Sequence, residues 1–118
     1  MSEAQTITET ETARDLTAFQ QNVLLVLAEE SRYGLAVKRE LEDYYDVEVN
    51  HGRLYPNLDT LIEQGLVEKS ELDKRTNEYA ITDDGVNVLL DSFNWRFKKF
   101  LTNNERAEQV RTLLEKQS

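Results

Sequence analysis

Five side chains able to hydrogen-bond or stack, Asn50, His51, Arg53, Tyr55 and Asn57, crowd into the eight residues NHGRLYPN at positions 50–57, with Gly52 among them. Arginine pairs with O6 and N7 of guanine through two parallel N–H donors, and asparagine with the corresponding edge of adenine. Histidine and tyrosine add donors that suit a base or a phosphate. Any solvent-facing helix carries such residues, so their types alone do not decide between groove reading and an ordinary polar face. Their place at the start of a helix carries more weight, because groove-reading helices contact base edges with their N-terminal residues. A second group, Lys69, Lys74, Arg75, Thr76 and Asn77, surrounds a polar turn and suits phosphate or minor-groove contact. The competing reading is a solvated hairpin tip, with Glu68, Glu71, Asp73 and Glu78 diluting its field.

Other chemistry finds little material. The chain has no cysteine, hence no thiolate nucleophile and no disulfide framework. His51 is its one histidine, so no nitrogen or sulfur metal site can be completed around it, and no metal or cofactor is expected. There is no serine–histidine pair and no phosphate-cradling glycine run, and the carboxylates are scattered, so an enzyme is not expected.

Charge stands against nucleic acid. In 118 residues, 23 acidic and 14 basic side chains give a net −9, and residues 50–81 alone hold four basic against six acidic residues, a net −2. Such a surface repels phosphates in dilute buffer. Either the partner is not a polyanion, or the protein works where molar salt cuts the Debye length to about 3 Å. Acidic, lysine-poor surfaces suit the second setting, and here arginine (8) exceeds lysine (6). A net-negative reader of DNA cannot lean on counterion release. It needs directed hydrogen bonds, apolar contacts and shape fit. No apolar run approaches the roughly 18 residues of a membrane span. The N-terminus lacks a signal core, and a cytoplasmic protein is expected.

The positioning elements follow from periodicity. Residues 1–15 alternate threonine with acidic side chains and are expected to be a disordered tail, with Ile7 too isolated to anchor an edge strand. Thr17 is placed to cap a first helix reaching about Glu30, with Phe19, Val23, Val26 and Leu27 inward. Ser31 is placed to cap a second, Arg32 to Tyr45, with Leu35, Val37, Leu41 and Tyr44 inward and only a turn between the two. Asn50 caps a third, in which Leu54, Leu58, Leu61 and Ile62 form one stripe and Gly65 supplies the left-handed residue that ends it. Pro56 falls inside this helix, where its ring opposes the carbonyl of Gly52, and predicts an irregular or bent start. Period-two stretches from Leu66 to Glu71 and Asn77 to Ile81 predict two antiparallel strands around the polar tip.

Three helices followed by a hairpin give the order of a winged helix-turn-helix. The fold class expected is mainly α with a small β-hairpin (α+β). Its domain spans residues 16–82, and residues 83–118 add a helical segment. There Thr82 caps a helix carrying Val86, Leu89, Leu90, Phe93, Phe97, Phe100 and Leu101, and "TNN" separates it from a last helix with Ala107, Val110, Leu113 and Leu114. Phe93, Trp95, Phe97 and Phe100 exceed what one small domain buries, so these residues with Val110, Leu113 and Leu114 are expected to hold a homodimer. A small-molecule pocket among the aromatics is the alternative use.

Gly52-Arg53-Leu54-Tyr55-Pro56, the leucines at 58 and 61, Gly65-Leu66-Val67, and then Tyr79, Ile81, Thr82 and Gly85 together resemble the PadR-like winged-helix transcriptional regulators over about residues 17–86. The acidic surface resembles the haloarchaeal members, the RosR-type regulators associated with oxidative stress. The resemblance implies a homodimeric, sequence-specific DNA-binding regulator on a pseudo-palindromic operator, with third helices in successive major grooves, wings beside them and C-terminal helices holding the dimer. It further implies that Tyr55 contacts the DNA backbone and that Arg53, standing where the family commonly has threonine, reaches bases or phosphates. Leu35 follows Gly34 where the family often has tyrosine. The alternative function, from another class, is a winged-helix module that binds protein and not DNA. Any oxidant response must use a ligand, a metal or another protein, because the chain offers no thiol.

Overall fold

The structure, a computed structural model, describes residues 15–73 and 75–117. Of the tail expected over residues 1–15 only Asp15 lies within them, and Lys74 lies outside. Along the described chain run α1 (Ala18–Glu29), β1 (Arg32–Tyr33), α2 (Gly34–Tyr45), α3 (His51–Glu63), β2 (Val67–Glu71), β3 (Asn77–Ile81), α4 (Asp83–Phe100) and α5 (Asn104–Lys116). This is the α+β winged helix expected from the sequence, with a third strand added.

Local chemistry sets the boundaries. Thr17 and Gln20 form a capping box at α1, each side chain bonding the other's backbone N–H at 3.1 and 3.0 Å. The side chains of Asn50, Thr82 and Asn103 cap α3, α4 and α5. Gly65 ends the α3 segment at φ +76°, a backbone conformation open to glycine without penalty. α3 continues through Pro56, so the expected irregular start is confined to its first turn, where the Asn50 carbonyl accepts from both Arg53 and Leu54 N–H groups at 3.0 Å.

The second helix differs from expectation. Ser31 caps nothing: Arg32 and Tyr33 form β1, antiparallel to β3, with Arg32 opposite Tyr79 and Tyr33 opposite Glu78. Side-chain contacts that sequence periodicity does not register hold the strand. The half-buried Arg32 guanidinium pairs with Glu29, Glu30 and Glu40, and its Nε donates to the Val26 carbonyl. The helix therefore starts late, and its inward face is Gly34, Val37, Leu41 and Tyr45. Leu35 and Tyr44, expected inside, are 47% and 73% exposed.

The sheet order is β1-β3-β2, with Val67 opposite Ile81 and Glu71 opposite Asn77 at the two ends of the wing. Behind it one core joins Phe19, Val23, Leu24 and Leu27 of α1, Val37 and Leu41 of α2, Leu54, Leu58 and Leu61 of α3, Tyr79 of β3 and Val88 and Leu89 of α4. Leu24 and Val88 were not singled out by the sequence pattern, whereas Val86 and Leu90, which share its helical spacing, are exposed.

Gly85 marks a tight approach. A Cβ there would stand 2.4 Å from the Leu66 carbonyl oxygen and 2.6 Å from Cγ1 of Ile81. The backbone oxygen cannot rotate away, so Gly85→Ala is expected to destabilise the domain by about 1–3 kcal/mol, the usual cost of overpacking. Urea denaturation measures it.

Candidate nucleic-acid interface

With the leucine stripe of α3 in the core, its first turn emerges at the surface. His51, Gly52 and Arg53 are exposed, while Tyr55 and Asn57 are half-buried on the flanks. Asn50 acts first as a cap, its Oδ1 accepting from the Gly52 N–H at 2.6 Å. A Cβ at residue 52 would lie 2.9 Å from that oxygen, so a larger residue there would press on the cap. The His51 and Tyr55 rings are 5.6 Å apart. Tyr55 leans on the N-terminus of α2, where a Cβ on Gly34 would meet its hydroxyl at 2.5 Å.

Arg53 and Asn57 are tied into the neighbouring helices. The Arg53 guanidinium lies 4.0 Å above the Phe19 ring of α1 and 6.0 Å from the Tyr45 ring of α2. Asn57 donates to the Arg53 carbonyl at 2.8 Å and accepts from Gln20 Nε2 at 3.0 Å. Gln20 thus caps α1 and links it to α3 at once. Residues 19 and 20 carried no local signal for this role because they sit some thirty positions before the NHGRLYPN stretch, and Tyr45, five positions before it, lies on another helix.

Glu42 fixes the connection leading into α3. Its Oε2 accepts from Lys38 Nζ and from the Val49 backbone N–H, each at 2.8 Å. The hydrogen bond from Lys38, then that from Val49, hold the Glu42 carboxyl below the usual glutamate range.

On the wing, Lys69 and Arg75 are exposed and Thr76 and Asn77 half-buried. The tip closes through a bond from Leu72 N–H to the Thr76 carbonyl, and Asp73 Oδ1 accepts from the Arg75 N–H at 2.8 Å. The Arg75 backbone bond, then Thr76, lower the Asp73 carboxyl from its ordinary value. Leu72, exposed at this tip, was overlooked, although a large apolar residue within a polar turn is visible in the sequence.

The C-terminal helices project from the domain. Beyond Leu89, α4 exposes Leu90, Phe93, Trp95, Phe97 and Phe100, and α5 buries nothing. The Phe93 and Phe97 rings touch at 6.3 Å, Lys99 stands over Trp95 and Arg106 over Phe100. Val110 is half-covered, and Leu113 and Leu114 are exposed. A cleft between α1 and α4 has Gln21, Ser92, Trp95 and Arg96 in its wall. Among the described residues no group of side chains is arranged to hold a metal ion, and no helix is long and apolar enough to cross a membrane.

Comparison with known proteins matches this architecture. The model of the transcriptional regulator PadR-like family matches residues 23–91. Among solved structures, H. salinarum RosR is 62% identical at a TM-score of 0.86, the match covering 89% of this chain and 96% of that one. The complex structure of hsRosR-S4 is 60% identical at a TM-score of 0.88, covering 92% of this chain and 95% of that one. F93 from STIV, a winged-helix DNA-binding protein, is 17% identical at a TM-score of 0.57, over 73% of this chain and 94% of that one, and shares the fold. No curated protein sequence matches.

Because Glu42 has a depressed pKa in the folded state, its stabilisation is present above the ordinary glutamate value and is lost as pH falls through the lower folded one. Glu42→Gln is expected to flatten that acid dependence of stability and to raise hydrogen exchange at the Val49 amide, read by NMR across the acid range.

Proposed function

The chain belongs to the PadR-like family of transcriptional regulators, and on that premise we propose that it is a homodimeric, sequence-specific regulator that reads a pseudo-palindromic operator in high salt. The carrying observation is the start of α3, whose leucine face is buried while Asn50, His51, Gly52 and Arg53 form its outer edge. An N-terminal helix edge of this composition suits base contact in the major groove. In this reading Arg53 reaches a base, and His51 and Tyr55 meet the DNA backbone. Asn57 holds Arg53 in place while bordering the groove. The wing, through Lys69, Lys74, Arg75, Thr76 and Asn77, lies beside the duplex on phosphates or in the minor groove.

Residues 16–82 form the reading unit and residues 83–118 the dimerising one. The exposed aromatic face of α4 supports this division, since a contiguous apolar patch of this kind marks an association surface. A symmetric pair joined there, through Phe93, Trp95, Phe97, Phe100, Val110, Leu113 and Leu114, spaces two α3 helices for half-sites about one helical turn, ~34 Å, apart. High-salt operation is supported by the net charge of −9 and by the identity to H. salinarum RosR. A role in oxidative-stress response rests on that same kinship. The charge also favours a second reading, a winged-helix module that binds a protein partner in place of DNA.

Competition between a preferred and a scrambled duplex from roughly 0.5 to 3 M salt separates the two, because long-range repulsion is already muted in that range. Retained discrimination is expected; equal affinity for both duplexes, with a protein partner recovered, supports the second reading instead. Arg53→Ala is expected to cost about 1–3 kcal/mol on the preferred duplex if the side chain reads a base. An equal loss on every sequence would assign it to phosphate. Sedimentation of the full chain is expected to give twice the chain mass, and Phe97→Glu to halve it while leaving the winged-helix circular dichroism in place.

A further inference from the structure

Phe19 and Tyr45 lie outside the residues that any groove-reading helix presents, yet both bear on the arginine at its edge. Their rings stack with centroids 6.1 Å apart and planes within 23°, joining α1 to α2 directly behind α3. Tyr45 is itself fixed, its hydroxyl accepting from Asn22 Nδ2 at 2.8 Å. Phe19 is only 4% exposed, so what covers its outer face is the Arg53 guanidinium at 4.0 Å. The Arg53 backbone is held as well, through the bond its carbonyl accepts from Asn57, whose own amide is tied to Gln20.

A guanidinium carbon held 4.0 Å over a ring has little freedom, and a guanidinium packed flat on that ring directs its N–H groups from its edges. Among the described residues these donors enter no ion pair and no hydrogen bond. Stacking against an aromatic face is a short-range contact. Mobile ions weaken it far less than they weaken the attraction between exposed charges. Arginine pays for bidentate recognition chiefly in side-chain freedom, and a fork that is already fixed loses less on binding. For a net-negative chain that cannot draw on counterion release, such preorganisation substitutes for long-range attraction.

We propose that the Phe19–Tyr45 stack is a specificity-determining support that sets the plane of the Arg53 fork, and that it is this support which lets the protein discriminate guanine in the operator. The inference rests on the DNA-reading function above. Phe19 and Tyr45 are positioning residues that act through Arg53 and do not themselves touch the duplex.

The test begins with the full-length protein selecting from a pool of random-sequence duplexes in about 2 M KCl, within the screened regime. Each guanine of the selected duplex is then replaced in turn by 7-deazaguanine, which lacks the N7 acceptor. For the wild type, one replacement per half-site is expected to weaken binding by roughly 2- to 12-fold, about half the contribution of a bidentate pair, because the O6 bond is kept. Phe19→Leu is expected to abolish most of that penalty while keeping affinity for the deaza duplex. Phe19→Tyr, which restores a ring, should restore the penalty. Arg53→Lys keeps the charge without the planar fork and should behave like Phe19→Leu. Should Phe19→Leu fail to fold by circular dichroism, Tyr45→Leu carries the same comparison. A merely structural role for the rings would lower affinity for both duplexes alike and leave the penalty intact, overturning the inference but leaving DNA reading in place. A wild type insensitive to every deaza replacement overturns it as well. If the wild type selects no preferred duplex at all, DNA reading itself fails and the support with it.

Discussion

Leu54, Leu58 and Leu61 lie on one side of α3 and are fully buried against Leu24 and Leu27 of α1 and Leu41 of α2. Each such side chain contributes about 1.5–3 kcal/mol by leaving water. Turning α3 about its axis would expose all three together, a loss comparable with the whole stability of a typical domain. Among the described residues no polar or charged side chain is buried, so no buried hydrogen-bonded arrangement among them draws the helix toward another rotation. The outward direction of Asn50, His51 and Arg53 is therefore fixed by what lies on the opposite side of the helix. The candidate interface is the complement of the core.

That constraint is reinforced where α3 begins. The cap from Asn50 fixes the first turn, Glu42 pins the preceding backbone at Val49, and Gln20 ties α1 to Asn57. Each is a short, local contact, and none depends on the net charge of the surface. An acidic chain presenting an arginine in this way differs from basic DNA-binding domains in which summed positive charge supplies much of the affinity. In the proposed reading, precision of placement stands in for field strength. The Asp73 turn follows the same logic on the wing, where a carboxylate that would repel phosphate is engaged by the backbone of Arg75.

The C-terminal third obeys the opposite rule. α4 is anchored by Val88 and Leu89 and then leaves the domain with its aromatic residues uncovered. Exposed ring surface on this scale favours self-association, and association through the outer end of α4 would set the distance between two α3 helices without altering either. In the proposed dimer, reading and spacing would fall to separate parts of the chain.

Much of this was legible in the order of the residues. The capping signals at Thr17, Asn50 and Thr82, the leucine stripe of α3, the glycine at position 65 and the paired strands all depend on neighbours within a few positions, which is the range over which periodicity and side-chain chemistry act. So did the composition of the α3 edge and the surplus of aromatic residues in α4. What the sequence did not disclose depended on contacts between distant segments. β1 exists because Arg32 finds Glu40 and the backbone of β3, and with its formation the inward face of α2 moved from Leu35 and Tyr44 to Gly34 and Tyr45. The shelf beneath Arg53 joins residues 19, 45 and 53 from three helices. Their spacing follows no helical or strand period, so only the packed core decides that they meet.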